Sequence, residues 1–155
     1  MKKFRFPLRP VAILREHHQT RTREAFATAV HVFVQAEERL ATKRSQRQDL
    51  ETIMHDGRRA TFRASDEIAF WSAYRLVCDE EIVTEREMIE ARSTMESRRQ
   101  DYLEAHRAVK VIEKLEQKAR TGHRLAVDRE AQLESDELAG LRVSRRLDSS
   151  TVVSS

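Results

Sequence analysis

Six histidines, one cysteine and a dense set of carboxylates are the side chains with the chemistry to hold a metal or move a proton. The histidines are His17, His18, His31, His55, His106 and His123. None stands in an H-E-x-x-H or similar pairing, whose spacing aims two ring nitrogens at one ion. His17 and His18 are adjacent, so on a helix they point about 100° apart. They read as solvated side chains. Cys78 could act as a nucleophile only beside a positioned base. It follows Val77, a residue of an apolar row, and reads as a buried or half-buried structural thiol. Carboxylates are plentiful, but an acid–base pair needs a desolvating cleft. Three isolated glycines build neither a P-loop nor a dinucleotide turn. No catalytic residue, metal ligand or cofactor is expected.

What remains is recognition by charge and apolar contact. The first 23 residues hold Lys2, Lys3, Arg5, Arg9, Arg15, Arg21 and Arg23 against one acid, Glu16. This basic run coincides with Phe4, Phe6 and Leu8, which the reading leaves exposed. Apolar anchors ringed by arginine suit protein interfaces. The acidic run Asp79, Glu80, Glu81, Glu85, Glu87 and Glu90 reads as a solvated helix face. Trp71 lies beside the row of Phe70 and Tyr74 and is either a contact residue or a cap on a bend.

The elements that position these residues follow from composition. Charged residues make up 35% of the 155-residue chain, aromatics 6% and prolines two. That is poor material for a sheet or a turn-rich globule and good material for long helices with a narrow apolar stripe. The expected fold is all-α: a long antiparallel two-helix coiled-coil hairpin with a short bend near residues 56–65. Residues 1–142 form its single domain, with helices at about 11–55 and 66–139, and 143–155 form a disordered tail. A net charge of +3 is a mild basic bias, so no nucleic-acid partner is assigned. One cysteine excludes an internal disulfide framework and fits a reducing compartment. No run reaches the ~18 apolar residues of a membrane span. The basic start is followed by no apolar h-region, so no cleaved signal peptide is expected.

From Val11 to Met54 there is no glycine or proline. Val11, Leu14, Ala25, Ala29, Val32, Ala36, Leu40, Leu50 and Met54 recur at helical steps, with His18, Arg21, Lys43 and Arg47 on the same track. His55-Asp56-Gly57 reads as a stop, Gly57 offering the left-handed conformation that ends helices. Ser65-Asp66-Glu67 reads as a start, a capping hydroxyl followed by acids. The second helix carries the cleaner heptad. One position is Tyr74, Glu81, Met88, Met95, Tyr102 and Val109. The other is Phe70, Val77, Thr84, Ala91, Arg98, Ala105 and Ile112. Ile82, Ile89 and Leu103 are expected to widen this face. Beyond Leu115, Gly122 interrupts the pattern; Leu125, Leu133 and Leu138 continue a weaker stripe that Gly140 ends.

Two stretches resemble the flagellar export protein FliJ family, relatives of the coiled-coil stalk proteins of type III secretion. The opening Lys3-Phe4-Arg5-Phe6-Pro7-Leu8, followed by Val11, Leu14, Arg15 and Glu16, looks like the family's aromatic–basic start. Near the other end, Lys110-Val111-Ile112-Glu113-Lys114-Leu115 resembles its KVLEKL segment, and Glu130 to Ala139 resembles its closing pattern. Gln35-Ala36-Glu37-Glu38-Arg39-Leu40 adds weaker support. Spacing and order agree over about residues 1 to 142.

The resemblance implies a non-enzymatic, monomeric stalk. Its partners would be the hexameric flagellar export ATPase FliI, the export gate protein FlhA and export chaperones. It would be cytoplasmic, peripherally associated with the cytoplasmic face of the inner membrane at the flagellar base. The ATPase-binding end would comprise Phe4, Arg5, Phe6, Leu8, Arg9, Lys110, Lys114 and Leu115. The gate-binding surface near the bend would comprise Arg39, Lys43, Gln46, Leu50, Trp71, Tyr74 and Cys78. The alternatives are a basic hairpin binding nucleic acid, motivated by Lys2 to Arg23 and Lys43 to Arg63, an injectisome stalk protein, and a coiled-coil dimer.

Overall fold

The computed structural model describes residues 3–57 and 63–152, with side chains described as far as residue 145. Two helices account for almost all of it: α1, Arg9–Gly57, and α2, Ala64–Val152. They pack against each other as a helical hairpin, and no strand occurs among the described residues. The centre of the expected bend, 58–62, lies outside the described residues.

Local chemistry sets the helix ends. At the start of α1 a turn places the Phe6 carbonyl to accept the Arg9 N–H at 3.2 Å, and Leu8 accepts from Ala12 at 3.0 Å. Pro10 falls in the first turn, where a missing N–H costs nothing. α1 ends at Gly57 as its sequence suggests, but no described glycine has a positive φ. At the start of α2 the Arg63 carbonyl accepts the N–H groups of Asp66 and Glu67. Ser65 lies inside the helix, two residues past the capping position held by Arg63, and its hydroxyl donates to Asp66 at 3.4 Å. Asp66 and Glu67 stand in the first turn, complementing the dipole.

The far end differs from expectation. α2 does not stop at Gly140 but runs to Val152, through ten residues expected in the tail. A glycine costs a helix about 1 kcal/mol relative to alanine. Without a following proline or a left-handed cap, that is too little to end it.

The chain divides into two compact units. The central unit is Glu16–Arg107; the terminal unit joins Met1–Arg15 to Ala108–Ser155. In the central unit the α2 seam follows the heptad: Phe70, Tyr74, Val77, Glu81, Thr84, Met88, Ala91, Met95, Tyr102 and Ala105 are all buried or half-buried. Arg98 is the exception and is exposed. Ile82 and Ile89 are also exposed, so they do not widen the face; Leu103 is half-buried. Opposite lie Gln19, Thr22, Phe26, Ala29, Phe33, Ala36, Leu40, Lys43, Arg47, Leu50 and Met54. Contacts progress in opposite directions along the two helices. Gln19 meets His106 at 2.8 Å, Phe26 stacks on Tyr102, Arg47 meets Glu81 and Glu51 meets Tyr74.

The α1 seam corrects the sequence reading. From Ala29 onward the two share Ala29, Ala36, Leu40, Lys43, Arg47, Leu50 and Met54, but Phe33 replaces Val32. Before Ala29 the register is shifted by one. Ala12, Arg15, Gln19, Thr22 and Phe26 face inward, while Val11, Leu14, His18 and Arg21 are exposed. Polar side chains hold this part of the seam. Arg15 donates to the Ala108 carbonyl at 3.1 Å, and Gln19 meets the His106 ring. Such bonds satisfy half-buried polar groups without following apolar periodicity.

In the terminal unit Phe6, Ala12 and Ile112 form a small core, with Phe4 and Ala119 against it. The heptad continues from Ile112 through Glu116, Ala119 and His123, all half-buried. From Asp128 to Arg145 every residue is exposed. This includes Leu133 and Leu138, so the weaker stripe packs on nothing within the unit.

Candidate functional site

The strongest candidate lies in the terminal unit. Phe4, Arg5, Phe6, Pro7, Arg9, Pro10, Ile13, Glu116 and Arg120 surround an open cavity of about 910 Å³. Pro7 and Pro10 bracket the turn into α1, so the preceding segment folds back over the helix pair. Phe6 is only 8% exposed; it is a core side chain, not the exposed anchor expected of it. Phe4 is half-buried, with its ring 5.5 Å from His123 and the Arg120 guanidinium 5.6 Å over its face. Glu116 is the cavity's single carboxylate and is already engaged. It meets Arg120 at 2.8 Å and Arg9 at 3.9 Å. Three arginines on aromatic and proline walls make a receptor for carboxylates carried on an apolar element.

The residues expected at this end are only partly brought together. Phe4, Arg5, Phe6 and Arg9 line the cavity; Leu8 is exposed close by. Lys110, Lys114 and Leu115 are not among its lining residues. Lys110 pairs with Glu113 at 2.7 Å on the same helix. Sequence reading missed Arg120, Glu116 and His123. Their signal was present, because extending the Ala105–Val109–Ile112 heptad by its own steps reaches Glu116, Ala119 and His123.

A second candidate lies in the central unit. Glu51, Met54, His55, Phe70, Trp71 and Tyr74 line a groove of about 240 Å³. The three aromatic rings form a closed triangle. Trp71 stands edge-on to Phe70 at 5.7 Å and to Tyr74 at 5.9 Å, and Phe70 stacks on Tyr74 at 6.0 Å. Trp71 remains 42% exposed. The Tyr74 hydroxyl donates to Glu51 at 3.0 Å, and Arg47 bonds both Glu51 and Glu81 at 2.7 Å. The Tyr74 bond, then the Arg47 bond, holds the Glu51 carboxyl below its usual range. The same bond to Glu51 raises the Tyr74 hydroxyl. Glu81 and then Glu51 push the Arg47 guanidinium higher still.

The expected gate residues divide by exposure. Arg39 and Gln46 are exposed; Leu50, Tyr74 and Cys78 are half-buried in or beside the seam. Lys43 is tied to Glu80 across the hairpin. Arg44 bridges to Glu81 and Glu85. Within the acidic run Glu80, Glu81 and Glu85 are thus interhelical partners, whereas Asp79, Glu87 and Glu90 are exposed, as a solvated face would have them. These pairs engage Lys43, Arg44 and Arg47 of the second basic stretch that suggested nucleic-acid binding.

With this geometry in view, the family comparison is decisive. The family model described as flagellar FliJ protein matches residues 4–148. The chain belongs to the FliJ family. The match takes in the aromatic start, both sides of the hairpin and α2 beyond Gly140. FliJ membership makes this chain a flagellar export-related protein. No curated protein and no solved structure matches it. No described helix of this FliJ protein is long and apolar enough to cross a membrane.

Proposed function

We propose that this FliJ-family chain is the stalk-like adaptor of the flagellar export ATPase. In this reading the terminal unit engages the ATPase ring FliI, and the Trp71–Tyr74 surface of the central unit meets the export gate FlhA. Export chaperones are further clients. The protein works as a non-catalytic monomer in the cytoplasm, held against the inner membrane by the export apparatus.

The observation that carries the proposal is the terminal cavity. It gathers Arg5, Arg9 and Arg120 on walls of Phe4, Phe6 and Pro10, with one carboxylate. A site of this kind fits acidic and apolar loops, and its guanidinium groups can bond carboxylates in bidentate fashion.

The test is ATP turnover by the cognate purified export ATPase with the chain added at micromolar concentration. Wild type is expected to stimulate turnover. Arg5→Glu with Arg9→Glu, both surface changes, are expected to abolish stimulation while leaving the helix content intact. No stimulation by wild type, or undiminished stimulation by the double variant, overturns the proposal.

A further inference from the structure

The terminal unit has a second face that the arginine cavity does not use. A residue one position after a seam residue turns about 100° to one flank, and a residue one position before turns as far to the other. In antiparallel pairs each flank is shared by equivalent positions of both helices. The cavity illustrates one such flank: Ile13 follows Ala12, and Arg120 follows Ala119. The opposite flank therefore carries Val11 and Leu14 from α1, and Val111 and Leu115 from α2. These precede Ala12, Arg15, Ile112 and Glu116. Their exposures are 37%, 68%, 52% and 43%. Four aliphatic side chains thus stand in water along one side of a unit whose buried apolar residues, among those described, are Phe6, Ala12, Val109 and Ile112.

Two further observations describe what would cover them. Gly122, one position before the half-buried His123, lies on the same flank, and a Cβ built there meets nothing within 4 Å. The backbone is therefore open to close approach by another helix. Lys114 and Lys118 lie beside the patch on α2, are exposed, and make no ion pair among the described residues. A second copy of the chain would bring its own lysines against these, so like charge opposes self-association.

We infer that this flank is a docking surface for an amphipathic helix of another protein. That helix lays an aliphatic stripe along Val11, Leu14, Val111 and Leu115, with carboxylates against Lys114 and Lys118. The mode is helix-in-groove recognition, with anchors at three- and four-residue steps. It lies on the flank away from the arginine cavity.

The test uses the full chain and two labelled helical peptides of about 18 residues, long enough for five turns. Both carry a leucine stripe; one is flanked by glutamates, the other by lysines. Fluorescence anisotropy is expected to show tighter binding of the glutamate peptide, weakening with salt. Leu115→Glu and Gly122→Trp are each expected to weaken it at least about tenfold, or ~1.4 kcal/mol. Gly122→Trp enters open space, and circular dichroism will show that the fold persists. Arg5→Glu with Arg9→Glu is expected to leave peptide binding unchanged, which separates this surface from the cavity. No binding, equal binding of the lysine peptide, or binding insensitive to both variants overturns the inference. So does a dimer in sedimentation that Leu115→Glu dissociates, because a second copy then occupies the flank.

Discussion

Phe26 on α1 and Tyr102 on α2 lie with their ring centroids 6.3 Å apart and their planes inclined by 7°. This stack places Phe26 in the seam, while Ala25, beside it, lies towards a shallow flank groove. Alanine fills much of the remaining central seam, at Ala29, Ala36, Ala91 and Ala105. Each ring of the aromatic pair therefore offers more apolar area to the seam than any of these alanines can.

Phe26→Ala should accordingly cost about 2–4 kcal/mol, somewhat less than the ~3–5 kcal/mol for a fully buried phenylalanine, because Phe26 is half-buried. Leu14→Ala removes a larger-looking aliphatic from α1 but takes it from water. It should stay within about 0.5 kcal/mol of wild type. Urea melts of the two variants check this directly. A larger loss for Leu14→Ala would mean that the register drawn from apolar periodicity was right.

That register shows how far the sequence was readable. The α2 heptad was legible because its seam residues are mostly apolar or alanine, and apolar periodicity reports them. The start of α1 was not. There Arg15, Gln19 and Thr22 face inward, whereas Val11 and Leu14 face water. The apolar signal therefore tracks the flank instead of the seam. The arginine and phenylalanine residues of the terminal cavity were legible in α1 and its leading segment, but Arg120 and Glu116 join them from across the hairpin. Their role depends on pairing, which no local pattern states.

The Tyr74–Glu51 bond makes stability depend on pH at both extremes. Glu51 has its folded pKa lowered from 4.5, so its contribution is present above that value and lost as pH falls through the lower one. Tyr74 has its folded pKa raised from 10.0. Its contribution is present below 10.0 and lost as pH rises through the higher value. Unfolding midpoints measured from about pH 3 to 11 should fall at both ends. Tyr74→Phe should remove the alkaline loss attributable to this bond and reduce the acid one. A Tyr74→Phe profile superimposable on wild type would exclude the bond as the cause.

Arg47 sits between Glu81 and Glu51, and the Glu81 side chain is 18% exposed. A double-mutant cycle of Arg47→Met and Glu81→Gln should give a favourable coupling between the two side chains. It should shrink in 1 M salt, where the screening length is about 3 Å. Additive single effects would show that the pair contributes nothing net.

Gly140 lies in the exposed stretch of α2, and a Cβ there meets nothing within 4 Å. Gly140→Ala should favour the local helix by about 1 kcal/mol without moving the main unfolding midpoint. Amide exchange should slow around residue 140 alone. Slowing throughout the seam would imply that this stretch is coupled to the packed units.

The most direct test of the account is a pair of cysteines at Gln19 and His106, whose side chains meet at 2.8 Å across the hairpin. They are introduced with Cys78→Ser, and the dilute protein is treated with a short bismaleimide. The hairpin predicts efficient cross-linking within single chains, seen as a monomer of altered mobility in denaturing gels. Cross-linked dimers, or two cysteines that never join, would contradict it.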